Sequence, residues 1–427
     1  MRALEHQSCT EQGATFRRHR MPNTRWLVPI IAVALLAGCA FRTEMGGPMQ
    51  KLRHRAVVSP AQPGSGMPNF GRGPDGTLYM SWIEKYGDGS VALLCAEREP
   101  DGWSVPMRMA GGDNWFVNWA DVPAIGVGNE GNMIAGWLQK VGAGTYAYDI
   151  RLAATTDGGH EWSGEFPAHA DTSQTEHGFL SLTPIAPDRF VGIWLDGREM
   201  VREDGPMTLR SAIIDANGSV TNGQLLDGRV CECCPTSVAV TGDGTVVAVY
   251  RGRSDTESRN TGVVRYHNGT WSAPQVVHDD NWEIAGCPVN GPAVTANGPN
   301  VAVAWFTMGA DDQPRVLAAF SFDHGETFGA PMRIDHGDPE GRVDITFVDD
   351  ASVIISWLEL ASPTVTQLMV RRVGADGTMS RSTRIAHFAS GRSCGMPKLE
   401  TTGREVVVAW TDPSERSQVK TAVIPLK

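Results

Sequence analysis

The stretch Thr77-Leu-Tyr-Met-Ser-Trp82 is a short strand pattern of apolar residues that ends in an aromatic residue, directly after a turn. The pattern recurs at six further places, ending at Trp137, Trp194, Tyr250, Trp305, Trp357 and Trp410. Successive aromatic residues are separated by 55, 57, 56, 55, 52 and 53 residues. A repeat of about 50 residues with room for about four strands is typical of a propeller blade. The sequence therefore predicts an all-β, seven-bladed β-propeller.

The composition and the chain ends agree with this repeat. The 427 residues include 48 glycines, 26 prolines and 13 tryptophans, as expected for many short strands joined by tight turns. The last repeat has no fourth strand after residues 419–425, but residues 55–58 at the other end are a candidate for it. Pairing of this N-terminal strand with the last blade would close the ring. We expect one propeller domain over residues 55–427.

The N-terminal residues have the pattern of an export signal. An apolar run over residues 27–36 follows a basic start and leads into Leu36-Ala37-Gly38-Cys39. These four residues resemble the bacterial lipobox, which implies cleavage before Cys39 and acylation of its thiol. We expect a leader and lipoprotein signal peptide over residues 1–39 and a tether over 40–54. The mature chain would then be an outer-membrane lipoprotein of the bacterial cell envelope, facing the periplasm or the cell surface.

Two segments carry a second motif, Thr155-Thr-Asp157-Gly-Gly159-His-Glu-Trp162 and Ser321-Phe-Asp323-His-Gly325-Glu-Thr327-Phe328. They resemble the Asp-box, Ser-x-Asp-x-Gly-x-Thr-Trp, of the BNR-repeat, sialidase-like propellers. In such a turn the aspartate accepts backbone N–H groups, the glycine supplies a positive φ and the aromatic ring packs between strands. The resemblance covers residues 55–427 and implies a six-bladed sialidase-type propeller as the alternative fold. It also implies that these residues are structural and lie on the face opposite the active site.

The loops that enter the blades carry an unusual set of thiols and an imidazole: Cys231, Cys233, Cys234, Cys287, Cys394 and His177. Four of them lie 16 to 18 residues before the aromatic residue of their own repeat: Cys234, Cys287, Cys394 and His177. Loops on one face of a propeller converge on its axis. The repeat therefore predicts that these side chains meet at the mouth of the central channel.

Three interpretations of this set stay open. Exported thiols form disulfides, and Cys231 or Cys234 with Cys287 would join adjacent blades. The Cys231-x-x-Cys234 spacing is also that of a thiolate pair, which the other cysteines and His177 could complete as a site for copper or zinc. A catalytic thiol with His177 or Asp344 as its base is the third interpretation.

The loops that follow the aromatic strands carry three arginines, Arg198, Arg251 and Arg253. The resemblance to sialidases implies that three arginines bind the carboxylate of an acidic sugar. It also implies a tyrosine nucleophile paired with a glutamate, for which the loops offer Tyr86, Tyr146 and Tyr148. These residues would make the chain an exo-alpha-sialidase, a glycoside hydrolase.

These patterns lead to one leading hypothesis and two alternatives. The leading hypothesis is an exported, lipid-anchored binding protein whose cysteine-rich channel mouth holds a thiophilic metal or another ligand. The alternatives are the sialidase-like hydrolase and a scaffold that binds a glycan or a protein on the same face. A formal net charge of −11 argues against a nucleic-acid partner, since such surfaces are strongly basic.

Overall fold

Seven antiparallel sheets, one for each repeat, make up the computed structural model of the protein, which describes residues 50–426. This confirms the all-β, seven-bladed propeller, and the six-bladed alternative is wrong. Within the described residues the helices are two short 3₁₀ segments, Arg198–Val201 and Arg392–Cys394. No helix in that part of the chain has the length and apolar character needed to cross a bilayer. The predicted signal peptide, its Cys39 and tether residues 40–49 lie outside the described residues.

Each blade consists of four main strands, and the first strand of each repeat is the innermost. Blade 1 comprises β2 (Ser65–Arg72), β3 (Leu78–Lys85), β4 (Val91–Glu99) and β6 (Met107–Gly112), with the short β5 (Gly102–Trp103) beside β4. Blade 2 comprises β7 (Ala124–Val127), β8 (Met133–Lys140), β9 (Tyr148–Thr155) and β10 (Phe166–Pro167). Blade 3 comprises β11 (His177–Ala186), β12 (Arg189–Asp196), β13 (Thr208–Asp215) and β14 (Val220–Asp227).

The second half of the ring has the same plan. Blade 4 comprises β15 (Ser237–Val240), β16 (Val246–Arg251), β17 (Thr261–His267) and β19 (Gln275–His278), with β18 (Thr270–Trp271) beside β17. Blade 5 comprises β20 (Ala293–Asn297), β21 (Asn300–Thr307), β22 (Arg315–Ser321) and β23 (Met332–Arg333). Blade 6 comprises β24 (Pro339–Phe347), β25 (Ser352–Ser362), β26 (Val365–Gly374) and β27 (Thr383–Ala389). Blade 7 comprises β28 (Lys398–Thr401), β29 (Glu405–Asp412), β30 (Gln418–Pro425) and β1 (Arg55–Val57).

The innermost strands form a closed ring. Each first strand contacts the first strand of the next blade, and β28 of blade 7 contacts β2 of blade 1. The fourth strand of blade 7 is β1, which pairs antiparallel with β30 and places Arg55 opposite Val423. Both chain ends of the described region therefore belong to the same sheet, and no inner strand is left without a neighbour.

The aromatic residues of the repeat are buried between the blades, and several of them donate a hydrogen bond to a nearby carboxylate. In three blades the indole N–H donates to a carboxylate two residues further along: Trp82 to Glu84 at 3.0 Å, Trp194 to Asp196 at 2.8 Å and Trp357 to Glu359 at 3.0 Å. In blade 5, Trp305 donates to Asp280 of the preceding loop at 2.7 Å. A buried indole N–H requires an acceptor. These four carboxylates therefore satisfy indole groups of the core.

The Asp-box segment of blade 5 forms the turn between β22 and β23. The carboxylate of Asp323 accepts the backbone N–H groups of Glu326 and Thr327 at 3.0 and 2.9 Å. Gly325 has a φ of +77°, which an L side chain rarely adopts. Phe328 packs, partly buried, against the core between blades 4 and 5. The turn is thus held by its own side chains, as a structural motif requires.

The corresponding turn of blade 2 has the same construction. The backbone N–H of Glu161 donates to the Asp157 carboxylate at 3.0 Å, and Gly159 has a φ of +89°. Trp162 packs against the core between blades 1 and 2. The N–H of Gly158 donates to the carbonyl oxygen of Gly131, in the turn between the first two strands of the same blade, at 3.0 Å. Both turns therefore lie on the face opposite the loops that enter the blades.

We expect Asp323→Ala to lower the free energy of unfolding by about 2 kcal/mol, because backbone N–H groups lose a charged acceptor. Urea denaturation measures the change. The matched control is Asp188→Ala, whose exposed carboxylate accepts no hydrogen bond from the described residues, so its effect should stay within about 0.5 kcal/mol. Equal effects of the two substitutions would show that the turn does not depend on the Asp323 carboxylate.

Candidate functional site

Four of the predicted cysteines lie together where two loops enter adjacent blades. Cys231, Cys233 and Cys234 precede β15 of blade 4, and Cys287 precedes β20 of blade 5. Cys233 and Cys287 form a disulfide with a Cα–Cα distance of 6.2 Å across 54 residues of sequence. The expected disulfide between neighbouring blades is confirmed, but the expectation that Cys231 or Cys234 would form it is wrong. The repeat fixes which loops meet, whereas the local course of the loop decides which sulfur faces Cys287.

The two remaining thiols of the loop form a buried pair. The sulfur atoms of Cys231 and Cys234 are 3.2 Å apart and share a hydrogen bond. Both side chains are buried. The backbone N–H of Asn290, in the loop that enters blade 5, donates to the Cys234 sulfur at 3.3 Å. The pair thus belongs to the loop that enters blade 4 and is also contacted by the loop that enters blade 5, to which the disulfide joins it.

The surroundings shift the pKa values of the two thiols in opposite directions. The hydrogen bond with Cys234 lowers the pKa of Cys231 to about 7, and the guanidinium groups of Arg259 and Arg251 act in the same direction. Burial raises the pKa of the Cys234 thiol well above its usual range. The pair therefore loses its first proton near pH 7, which leaves a thiolate beside a thiol with positive charge close by.

The structure does not bring Cys394 into this cluster. Its thiol donates a hydrogen bond to the backbone oxygen of Gly391 at 2.7 Å, and the side chain is buried in the core between blades 6 and 7. The repeat correctly places Cys394 in the loop that enters blade 7. Blade 7, however, is not a neighbour of blade 4 in the ring. The prediction that Cys394 joins the other cysteines is therefore wrong.

His177 also lies elsewhere, in a second polar cluster between blades 2 and 3. Its Nδ1 is 3.4 Å from Oδ1 of Asp149, and Nε2 of His169 is 3.2 Å from the same oxygen. Asp149 belongs to β9 of blade 2, and His177 begins β11 of blade 3. Sequence analysis missed His169 and Asp149 because His169 lies in a loop without a repeat position and Asp149 reads as an ordinary strand residue.

The wall of the central cavity is separate from both clusters. A cavity of 140 Å³ is lined by the innermost strands, with Asp121, Asp344 and Glu400 among its polar residues. It includes Pro235 and Thr236, which directly follow Cys234, but among the described residues its wall contains no cysteine. The thiols therefore lie beside the channel rather than in its mouth, which corrects the predicted position.

Arg251, one of the three predicted substrate-binding arginines, is a structural residue. Its buried guanidinium donates to the backbone oxygens of Arg259, Phe306 and Asn290 at 2.7, 2.7 and 2.8 Å. The same group lies over the ring of Trp282, 5.2 Å from its centroid. Arg251 thus joins the loops around the thiol pair and has no N–H group directed at an open surface.

The other two arginines pair with carboxylates of their own loops. Arg198 donates from Nε and Nη2 to the two oxygens of Asp196, at 2.6 and 2.7 Å. Arg253 donates from Nη2 to Glu257 at 2.6 Å and also contacts Glu232. Each guanidinium is therefore engaged by protein acceptors, and the three do not form a set directed at one substrate carboxylate.

One tyrosine does pair with a glutamate. The hydroxyl of Tyr148 hydrogen-bonds to Glu176, and burial raises the pKa of Glu176 to about 7. The Tyr148 ring is buried, whereas Tyr86 and Tyr146 are exposed. The pair has the residue types of a sialidase nucleophile, but its hydroxyl lies below the surface.

Comparison with known proteins shows the fold. No family model and no curated protein matches the chain. The BP39L lectin from Burkholderia pseudomallei is similar in structure, with 12% identity over 85% of this chain and 94% of that one and a TM-score of 0.57. A protein of unknown function from Dyadobacter fermentans matches with 12% identity over 89% and 97%, TM-score 0.50. A Hadza microbial sialidase matches with 14% identity over 69% and 63%, TM-score 0.45. At such identities the likeness establishes a β-propeller and no activity.

We expect Arg251→Met to lower the free energy of unfolding by about 3 kcal/mol or more, because three buried carbonyl oxygens lose their donor. Urea denaturation measures this loss. Arg381→Met is the matched control, since Arg381 is exposed and its side chain makes no hydrogen bond to the described residues. An Arg251→Met protein as stable as the parent would contradict the structural role and leave the guanidinium available for a ligand.

Proposed function

We propose that this protein is an exported, lipid-anchored β-propeller of the bacterial envelope that binds Cu(I) through Cys231 and Cys234. The observation that carries the proposal is the buried pair of thiols whose sulfur atoms are 3.2 Å apart. The anchor, at Cys39, rests on the lipobox-like sequence at residues 36–39.

The chemistry of the pair favours a soft ion of low coordination number. Thiolates select Cu(I) over harder cations, and two sulfurs are a sufficient ligand set for it. A Cu(I) ion with two thiolates carries one net negative charge. Arg251 and Arg259 act on Cys231 as nearby positive charges and would balance that charge in the buried site.

The neighbouring disulfide supports copper over zinc. Zinc sites of the structural type use four thiolate or imidazole ligands. The sulfur atoms of Cys231, Cys233 and Cys234 all lie within 4.8 Å of one another, so this loop could supply three of the four. The disulfide with Cys287 removes Cys233 from that set. With the disulfide formed, the loop offers the two ligands that suit Cu(I).

Burial argues against the catalytic thiol and against exchange with a partner's disulfide. Both reactions need a sulfur that a substrate can approach along a defined line. The side chains of Cys231 and Cys234 are fully buried, and His177, the proposed base, faces Asp149 instead. A single metal ion requires far less room than a peptide or a sugar.

The hydrolase alternative has weaker support in the geometry. Its residue types are present in Tyr148 and Glu176, and the propeller fold is shared with a sialidase. The tyrosine is buried, however, and the three arginines are engaged by the protein's own acceptors. Copper binding is therefore the function that we favour.

We expect the full chain carrying Cys9→Ser and Cys39→Ser to bind one equivalent of Cu(I) tightly, and either Cys231→Ser or Cys234→Ser in that background to bind none. The two background substitutions remove the thiols that lie outside the described residues. Anaerobic titration against a chromogenic Cu(I) chelator measures the stoichiometry, and X-ray absorption counts the sulfur ligands, with two expected.

Cys394→Ser is the matched control, because it removes a buried thiol of another blade and should leave the copper stoichiometry unchanged. Thermal unfolding checks that each variant is folded. If a folded Cys231→Ser protein still takes up one equivalent as tightly as the parent, Cu(I) binding at this pair is excluded.

The pKa of Cys231 also predicts a pH dependence of the metal-free protein. Its folded value of about 7 lies below the ordinary 9.0, so between these pH values the unfolded chain retains a proton that the folded chain has lost. Stability from this group should therefore rise as the pH increases from 7 to 9, by up to about 1.4 kcal/mol per pH unit, and be lost as the pH falls through 7. Cys231→Ser should remove this rise. Parallel pH profiles for the two proteins, measured by denaturant unfolding, would contradict the shift.

A further inference from the structure

We propose that Asp149, His169 and His177 form a second metal site, for Zn²⁺, which is independent of the thiol pair. The three residues join the loop between β10 and β11 to β9 of blade 2 and to β11 of blade 3. Two imidazoles and a carboxylate are borderline ligands that suit zinc and leave one position for water. The site would therefore connect blades 2 and 3, as the disulfide connects blades 4 and 5.

The distances between the ligand atoms match tetrahedral coordination. Zinc bonds to nitrogen and oxygen of about 2.0–2.1 Å place neighbouring ligand atoms of a tetrahedron about 3.3–3.4 Å apart. Oδ1 of Asp149 lies 3.2 Å from Nε2 of His169 and 3.4 Å from Nδ1 of His177. The three ligand atoms all lie within 4.8 Å of one another, so one ion can reach them all.

These close atoms are not joined by hydrogen bonds. Oδ1 of Asp149 and both ring nitrogens of His169 and of His177 are buried without a hydrogen-bond partner in the described part of the chain. The His169 and His177 side chains are 4% and 0% exposed. Buried polar atoms almost always have a partner, because leaving one without it costs free energy. Three of these atoms, one from each residue, are explained if their lone pairs are directed at one ion.

A second carboxylate is placed to orient one of the ligands. Nε2 of His177, on the far side of the ring from Asp149, lies 3.2 Å from Oδ2 of Asp171. The backbone N–H of Ser173 donates to the same oxygen at 3.1 Å and holds it in place. Histidines that bind a metal through one nitrogen usually present the other to a carboxylate. Asp171 is therefore a positioning residue for His177.

The competing interpretation is a structural His–Asp cluster without metal. The chain contains such a pair elsewhere: Nδ1 of His278 forms a hydrogen bond of 2.8 Å with Oδ1 of Asp280. There the imidazole is partly exposed and its carboxylate also accepts the indole N–H of Trp305. The Asp149 cluster differs, because two rings converge on one oxygen and no hydrogen bond forms.

The test uses the full chain with Cys9, Cys39, Cys231 and Cys234 all changed to serine, so that no unpaired thiol other than the buried Cys95 and Cys394 remains. Isothermal titration with Zn²⁺ should show one equivalent. Asp149→Asn or His169→Gln should weaken binding by more than about 100-fold, and Asp171→Asn by about 10- to 100-fold, the range typical of an outer partner. His278→Gln is the control and should bind as the parent does.

Two further measurements use this serine-substituted protein as the parent, with no change at the proposed zinc site. Zn²⁺ should raise the unfolding temperature of the parent, since the ion binds the folded state. Co²⁺ in its place should give the d–d absorption of a tetrahedral nitrogen and oxygen site without the sulfur-to-cobalt charge-transfer bands of a thiolate site. Absence of zinc binding by the folded parent, thiolate bands with Co²⁺, or an unchanged affinity in folded Asp149→Asn and His169→Gln proteins would each overturn the proposal.

Discussion

Every blade depends on its neighbours, because the aromatic residue of its second strand is buried against the preceding sheet of the ring. Trp82, Trp305 and Trp357 are fully inaccessible to solvent, and a nearby carboxylate accepts the N–H group of each indole. A single four-stranded sheet would expose these rings, so the sheets are stable only as a closed ring. The disulfide and the proposed zinc site add to this constraint, since the residues of each come from loops or strands of adjacent blades.

The repeat made the fold predictable from the sequence. Its interval is set by four strands and their turns, and the buried aromatic residue marks the same point in each copy. Asp323 and Gly325 were equally readable, because their roles lie within one turn and need no distant partner. The repeat does not predict the direction in which a side chain on a loop points. For that reason Cys233, and not Cys231 or Cys234, faces Cys287.

The candidate sites could be predicted only where their residues come from blades that are neighbours in the ring. Blades 4 and 5 are neighbours, so Cys234 and the Cys287 loop do meet. Cys394 in blade 7 and His177 in blade 3 lie at similar distances before their aromatic residues but face different interfaces between blades. Arg251 looked like a ligand for an acidic sugar, yet its guanidinium is used by backbone oxygens. The sequence alone cannot distinguish an arginine that binds a ligand from one that stabilises its loop. The distinction depends on which backbone carbonyl groups surround the guanidinium in the folded protein.

The seventh blade has a consequence for the order of assembly. Its outer strand β1 and its third strand β30 are 364 residues apart at the Val57–Thr421 contact, so the ring stays an open arc until the end of the chain has emerged. Cys233 and Cys287, separated by 54 residues, are both present long before that moment. Because short loops close at lower entropic cost than long ones, oxidation can fasten blades 4 and 5 while the arc is still growing. Closure of the ring is then the last event, because β1 has to wait for its pairing partner β30, the last strand of the described region.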